Sequence, residues 1–210
     1  LPPQSSLNPQ FVEALSQFLN QVPDHPNSQL IQRSLSVLMW MASEEIDRAD
    51  WKIVTATLQD LEKAFIAFYP HRHTRKVTIF GSARILPESA EYQLAVKFAR
   101  RLADLGFMVL TGAGGGIMQA GNEGATKEHS FGLNIDLPFE NIANEFIVDD
   151  PKLINFKYFF TRKLFFLRES DAIALFPGGF GTQDEAFETL TLCQTGKYGP
   201  VPLVLIDEPD

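Results

Sequence analysis

Residues 172–185 read AIALFPGGFGTQDE. The run from Ala172 to Phe176 is short and apolar, a proline, three glycines and Phe180 fill the next five positions, and Thr182 to Glu185 then opens a polar, helix-like pattern. A buried strand, a tight glycine turn and a helix form the repeating unit of a parallel sheet covered by crossover helices. The same order recurs upstream, where 77–80 (VTIF) runs into GSAR at 81–84 and 107–110 (FMVL) runs into TGAGGGIM at 111–118. Further strands are read at 131–136 and 201–206, and Leu94, Ala95, Phe98, Ala99, Leu102 and Leu105 recur at helical spacing. The expected fold is therefore α/β, a Rossmann-like parallel sheet with helices on both faces. Loops leaving the carboxyl ends of such a sheet share one edge, so the glycine turns should converge on a single crevice.

Upstream of residue 77 the pattern changes. Asn8 and Pro9 cap a first helix carrying Phe11, Val12, Leu15, Phe18 and Leu19, PDHPN at 23–27 breaks it, and helices are expected near 28–46 and 48–68. Residues 1–70 read as an N-terminal helical extension with no catalytic pattern. The basic stretch PHRHTRK at 70–76 marks the boundary, and 77–210 is read as a separate Rossmann-like α/β domain. A further helix is read over 152–169 (KLINFKYFFTRKLFFLRE), apolar on every side, which implies burial on more than one face and a subunit interface.

The 210 residues carry 18 Lys+Arg against 26 Asp+Glu, a formal net charge of -8, so long-range electrostatics oppose nucleic acid and anionic membranes as partners. Any anion must be gripped locally. The lone Cys193 excludes an intramolecular disulfide framework and fits a reducing, cytoplasmic setting. No run reaches the roughly 18 to 20 apolar residues of a membrane span. His71 and His73 sit in the basic linker and His25 and His129 stand apart, so no metal site is expected.

Glycine turns followed by helix N-termini bind phosphate through main-chain amides and the helix dipole, without needing net positive charge. The familiar nucleotide motifs fail here: there is no GxxxxGK[ST], and Ile117 stands where GxGxxG needs its last glycine. Thr182 and Glu185 have the spacing of a capping box, which would make Glu185 a helix-end residue reaching back to an amide. The same spacing also sets a carboxylate just beyond an anion-binding turn, where an oxocarbenium-like transition state could use it. Arg162 either reaches solvent or forks onto a ligand, and Glu188, one turn past Glu185, is a supporting partner or a solvated helical residue.

Phe160-Thr161-Arg162-Lys163 with Pro177-Gly178-Gly179-Phe180-Gly181-Thr182-Gln183-Asp184-Glu185 resembles the LONELY GUY (LOG) family, whose hallmarks are an Arg-Lys pair and PGGxGTxxE and whose members were often labelled possible lysine decarboxylases. The resemblance spans about residues 77–206. It implies a Rossmann-like phosphoribohydrolase that releases a free base from a nucleoside 5'-monophosphate, such as a cytokinin nucleotide or AMP. It also implies a homodimer or larger assembly and no cofactor. By matching motif, Arg162 and Glu185 are the catalytic pair. Gly114, Gly115 and Gly116 with Lys163, Gly178, Gly179, Gly181 and Thr182 hold the phosphate, Ser82 and Arg84 complete the nucleotide pocket, and Glu188 supports Glu185. Two departures bear on substrate choice: the second turn lacks a proline common in relatives, and Gln119 replaces a carboxylate. A nucleotide-binding sensor or carrier without chemistry is the alternative. A pyridoxal-phosphate decarboxylase is not expected, because no lysine stands in a recognisable cofactor setting. The chain starts at Leu1 rather than Met and stops at Asp210, where relatives continue with another helix, so the whole protein is expected to extend further.

Overall fold

The computed structural model describes residues 25–137 and 143–207, together with Glu13, Gln17 and Pro23. The helix expected around Phe11 to Leu19 lies outside the described residues. The chain divides into two compact units, Leu1–Lys52 and Ile53–Asp210. The first holds helix α1 (Ser28–Ser43) and the opening turn of α2 (Arg48–Phe68). The rest of α2 belongs to the second unit, where Asp60, Ala64 and Phe68 are buried.

In that unit six strands, β1 (Lys76–Phe80), β2 (Met108–Thr111), β3 (Ser130–Ile135), β4 (Leu153–Phe156), β5 (Ala172–Leu175) and β6 (Leu203–Leu205), form one sheet in the order β4-β3-β2-β1-β5-β6. Every pairing is parallel. Strand periodicity divides the core between the two faces. Val77, Ile79, Val109 and Ala174 point to one face and pack with α3 (Ala90–Asp104) and α4 (Ile117–Ala125). Phe80, Leu110, Leu133, Ile173 and Leu175 point to the other, against α2, α5 (Phe159–Glu169) and α6 (Phe180–Gln194). The expected α/β sheet with helices on both faces is therefore present. None of the described helices is long and apolar enough to cross a membrane.

The helix expected over 152–169 is corrected. Its first part is strand β4, parallel to β3, and the helix begins only at Phe159. Nothing local marks that boundary, since residues 152–158 contain neither glycine nor proline. The cap comes from α2: the Asp60 carboxylate accepts the Lys157 amide at 3.0 Å, the Tyr158 amide at 3.3 Å and the Thr161 hydroxyl at 2.6 Å. A carboxylate at a helix start satisfies orphan amides and suits the positive end of the dipole. Asp60 is only 1% exposed, yet fully engaged.

From β1 the chain builds outward through β2, β3 and β4, then crosses back to place β5 on the other flank of β1. This reversal opens a gap at the carboxyl ends of β1 and β5, the place where open parallel sheets bind ligands.

Candidate active site in the switch-point crevice

The three glycine turns converge here, and Ser82 joins them. Its amide donates to the Pro177 carbonyl at 3.0 Å, and its own carbonyl accepts the Ile117 amide at 3.0 Å. Gly116 makes the second contact possible: it sits at φ +60, and a Cβ there would run into the Ser82 carbonyl and the Ala83 backbone.

Between the turns lies an open crevice of about 560 Å³. Of the expected residues, Ser82, Arg84, Arg162, Gly179, Gly181, Thr182 and Glu185 line it. Gly114, Gly115 and Gly116 lie behind it, where Gly115 and Gly116 pack against the Ser82–Ala83 backbone. Gly178 packs on the Thr182 side chain. Lys163 and Glu188 line a small depression on the far side of Glu185. Phe80, Gly81, Ala83, Gly112, Met118 and Phe180 complete the crevice and were not among the expected site residues. Phe180 is 97% exposed at its lip.

The capping box does not form. Helix α6 starts at Phe180 with Gly179 as its cap, so Thr182 is already inside the helix and cannot cap it. The first helical bond runs from the Gln183 amide to the Gly179 carbonyl at 3.0 Å. The amides of Phe180, Gly181 and Thr182 precede it without intrahelical partners, at the positive end of a 15-residue helix. Glu185 lies on that helix's second turn and lines the crevice. Burial is the main reason its carboxyl is pushed up to about 7, with Asp184 and Glu188 adding to the rise and Arg162 and Lys163 opposing it.

Arg162 projects from α5 and is 9% exposed. Its Nε donates to the Leu133 carbonyl at 2.7 Å, and the guanidinium stands 5.2 Å from the Phe166 ring centre. Burial pulls it below the usual guanidinium value, while the charge of Glu185 works against that fall. The two groups are coupled through space but make no direct ion pair. One residue on, about 100° around the helix, Lys163 ties α5 to α6 through Asp184 at 2.6 Å and Glu188 at 3.0 Å. Burial alone would lower Lys163, but these two carboxylates outweigh it and hold its ammonium above the ordinary value.

A buried polar network holds the second turn. Asn144 Nδ2 bonds to the carbonyls of Ala113 at 3.1 Å and Gly114 at 3.0 Å and to Asn122 Oδ1 at 2.9 Å, which also accepts the Thr111 hydroxyl at 2.7 Å. Ala113 is thereby kept at φ +63, a conformation that side-chain-bearing residues rarely adopt. Among the described residues no group of three or more His, Cys, Asp or Glu side chains is arranged to hold a metal ion. The crevice thus offers main-chain donors at a helix start, an exposed cation in Arg84, a buried one in Arg162, and a carboxyl raised to about 7.

Residues 116–210, which include both α5 and α6, match the model of a family described as possible lysine decarboxylase. No curated protein matches the chain. Similar solved structures include the X-ray structure of TM1055, at 23% identity over 57% of this chain and 70% of that one with a TM-score of 0.46. The molybdenum cofactor carrier protein of Chlamydomonas reinhardtii aligns at 20% identity over 63% and 76% with a TM-score of 0.48. The molybdenum cofactor binding protein of Rippkaea orientalis aligns at 23% over 64% and 78% with a TM-score of 0.47.

Proposed function

Since residues 116–210 carry the domain of the possible lysine decarboxylase (LOG) family, we propose that the protein hydrolyses the N-glycosidic bond of a nucleoside 5'-monophosphate, cytokinin-like or AMP-like, to free base and ribose 5-phosphate. The observation that carries this reading is Glu185, held at about 7 in the crevice and coupled to the buried Arg162. The phosphate sits at the start of α6 on the amides of Phe180 to Thr182, with Arg84 closing over it. As the bond from C1' to the base nitrogen lengthens, positive charge develops on the ribose, and the Glu185 carboxylate stabilises it. Water attacks C1', the C1'–O bond forms, and Glu185 takes the water proton. Arg162 anchors the nucleotide, and its charge favours departure of the electron-rich base, which leaves with the bonding pair and takes up the proton that Glu185 received from water, returning Glu185 to the carboxylate. The chain acts as a homodimer, with the exposed apolar residues of α5 at the interface, and works in the cytoplasm.

Incubation with AMP tests the reading, with adenine and ribose 5-phosphate as expected products. Glu185→Gln should retain nucleotide affinity and lose turnover by roughly a thousandfold, the scale of removing a transition-state charge partner. Saturable binding of AMP with no base released would replace the enzyme by a nucleotide carrier.

A further inference from the structure

The basic stretch 70–76 takes no part in the crevice. It lies at the opposite, amino-terminal edge of the sheet, where Lys76 begins β1 and Asp171 immediately precedes β5. A separate polar cavity of about 180 Å³ opens there, lined by Arg72, Thr74, Arg75, Lys76, Arg168 and Asp171, with His73, Glu169 and Ser170 completing the wall.

Four permanent cations face this space against two carboxylates, in a chain whose net charge is -8. Both carboxylates are already engaged. Glu169 accepts Arg168 Nη1 at 2.6 Å and stands 3.5 Å from Lys76 Nζ, while Asp171 accepts the Lys76 amide at 2.8 Å. Lys76 is 3% exposed and directs its ammonium to the Thr74 carbonyl at 2.9 Å. Among the described residues neither Arg72 nor Arg75 has a carboxylate partner; each lies against a ring, Arg72 at 4.2 Å from the Tyr69 centre, where its Nη1 also donates to the Tyr69 carbonyl at 2.8 Å, and Arg75 at 4.4 Å from that of Phe107. A stacked guanidinium is oriented by its face and keeps in-plane N–H donors available, the geometry that forks onto phosphate oxygens. Two positioned guanidiniums without a carboxylate, beside a buried ammonium, repel one another, and an anion between them relieves that repulsion.

We propose that this cavity is a second anion site, distinct from the crevice, that takes a small phosphate-bearing molecule. Its volume is about a third of the crevice's 560 Å³, which suits one or two phosphate groups rather than an entire nucleotide. A nucleic acid is the weaker candidate, because the cations line a pocket and the remainder of the chain repels a polyanion.

Isothermal titration calorimetry of the full chain with inorganic pyrophosphate, and with inorganic phosphate as the single-phosphate arm, tests this. Uptake should persist in Arg84→Gln and Arg162→Gln, which disable the crevice. It should weaken roughly tenfold or more in Arg72→Gln/Arg75→Gln, whose altered side chains are exposed, and fall with added salt. An unchanged thermal midpoint in that double variant, with weakened uptake, ties the loss to the site. Uptake that survives the double variant but disappears with the crevice variants would overturn the proposal. So would no uptake at about millimolar probe, or duplex DNA binding abolished by the double variant while pyrophosphate is ignored.

Discussion

Gly112 and Arg162 share one volume: a methyl group at Gly112 would overlap the Arg162 guanidinium and lie 2.6 Å from Met118 Sδ. Both obstructing groups are the ends of flexible side chains, so Gly112→Ala should displace Arg162 rather than unfold the protein. We expect a stability cost of about 1–2 kcal/mol by urea denaturation and a loss of roughly a hundredfold in kcat/KM for nucleotide cleavage. Wild-type kinetics in this variant would remove Arg162 from the chemistry.

Glu185 makes stability depend on pH. Its folded value, raised to about 7 from 4.5, means that the native state holds its proton more tightly than the unfolded chain. The associated stability is fully present below 4.5 and is lost as pH rises through about 7. Glu185→Gln never takes up the charge. Because solvent reaches part of the carboxyl, the variant should be more stable than the wild type by about 2 kcal/mol at about pH 8.5, and equal to it near pH 4. Thermal melts across that range measure the crossover.

Activity should show the same group. If the carboxylate form takes the water proton, kcat/KM falls about tenfold per unit as pH drops below the Glu185 value of about 7. Lys163→Met removes a cation that opposes the rise in Glu185. It should move this limb to higher pH, while costing about 0.5–1 kcal/mol for the lost links to Asp184 and Glu188.

Asp60→Ala leaves the Lys157 and Tyr158 amides without their acceptor and leaves the Thr161 hydroxyl only the Tyr158 carbonyl at 2.8 Å. A loss of about 2–4 kcal/mol in unfolding free energy is expected. Because α5 carries Arg162, kcat should fall more than KM rises, and Asp60→Asn should recover part of both.

Phe160 and Leu164 lie one turn apart on α5 and are 55% and 48% exposed. If this face joins two copies, Phe160→Glu with Leu164→Glu should convert a dimer to a monomer in size-exclusion chromatography with light scattering.

The sheet was legible because each of its glycine turns follows an apolar run directly, a pattern that depends on neighbours in sequence. Arg162 and Glu185 were legible through the motif around them. What sequence did not reveal was set by distant partners. The start of α5 depends on Asp60, almost a hundred residues upstream, so residues 152–169 read as one greasy helix when they are a strand followed by a helix. Of the two readings of Thr182 and Glu185, the capping box does not form because helix α6 begins two residues before Thr182, at a glycine turn without a side-chain cap. Gly112 looked like one more turn residue, and its value as space for Arg162 appears only once β2 and α5 are folded together.

Ser82 holds the turn after β5 with its amide and the turn after β2 with its carbonyl. Three segments remote in sequence are therefore fastened through the main chain of a single residue, a fastening indifferent to which side chain stands there. Lengthening any one turn would pull on the other two, so insertions at this rim should be poorly tolerated. Diversification of ligand preference is then channelled into point replacements at Ala83, Met118 and Phe180, which face the crevice without carrying its frame.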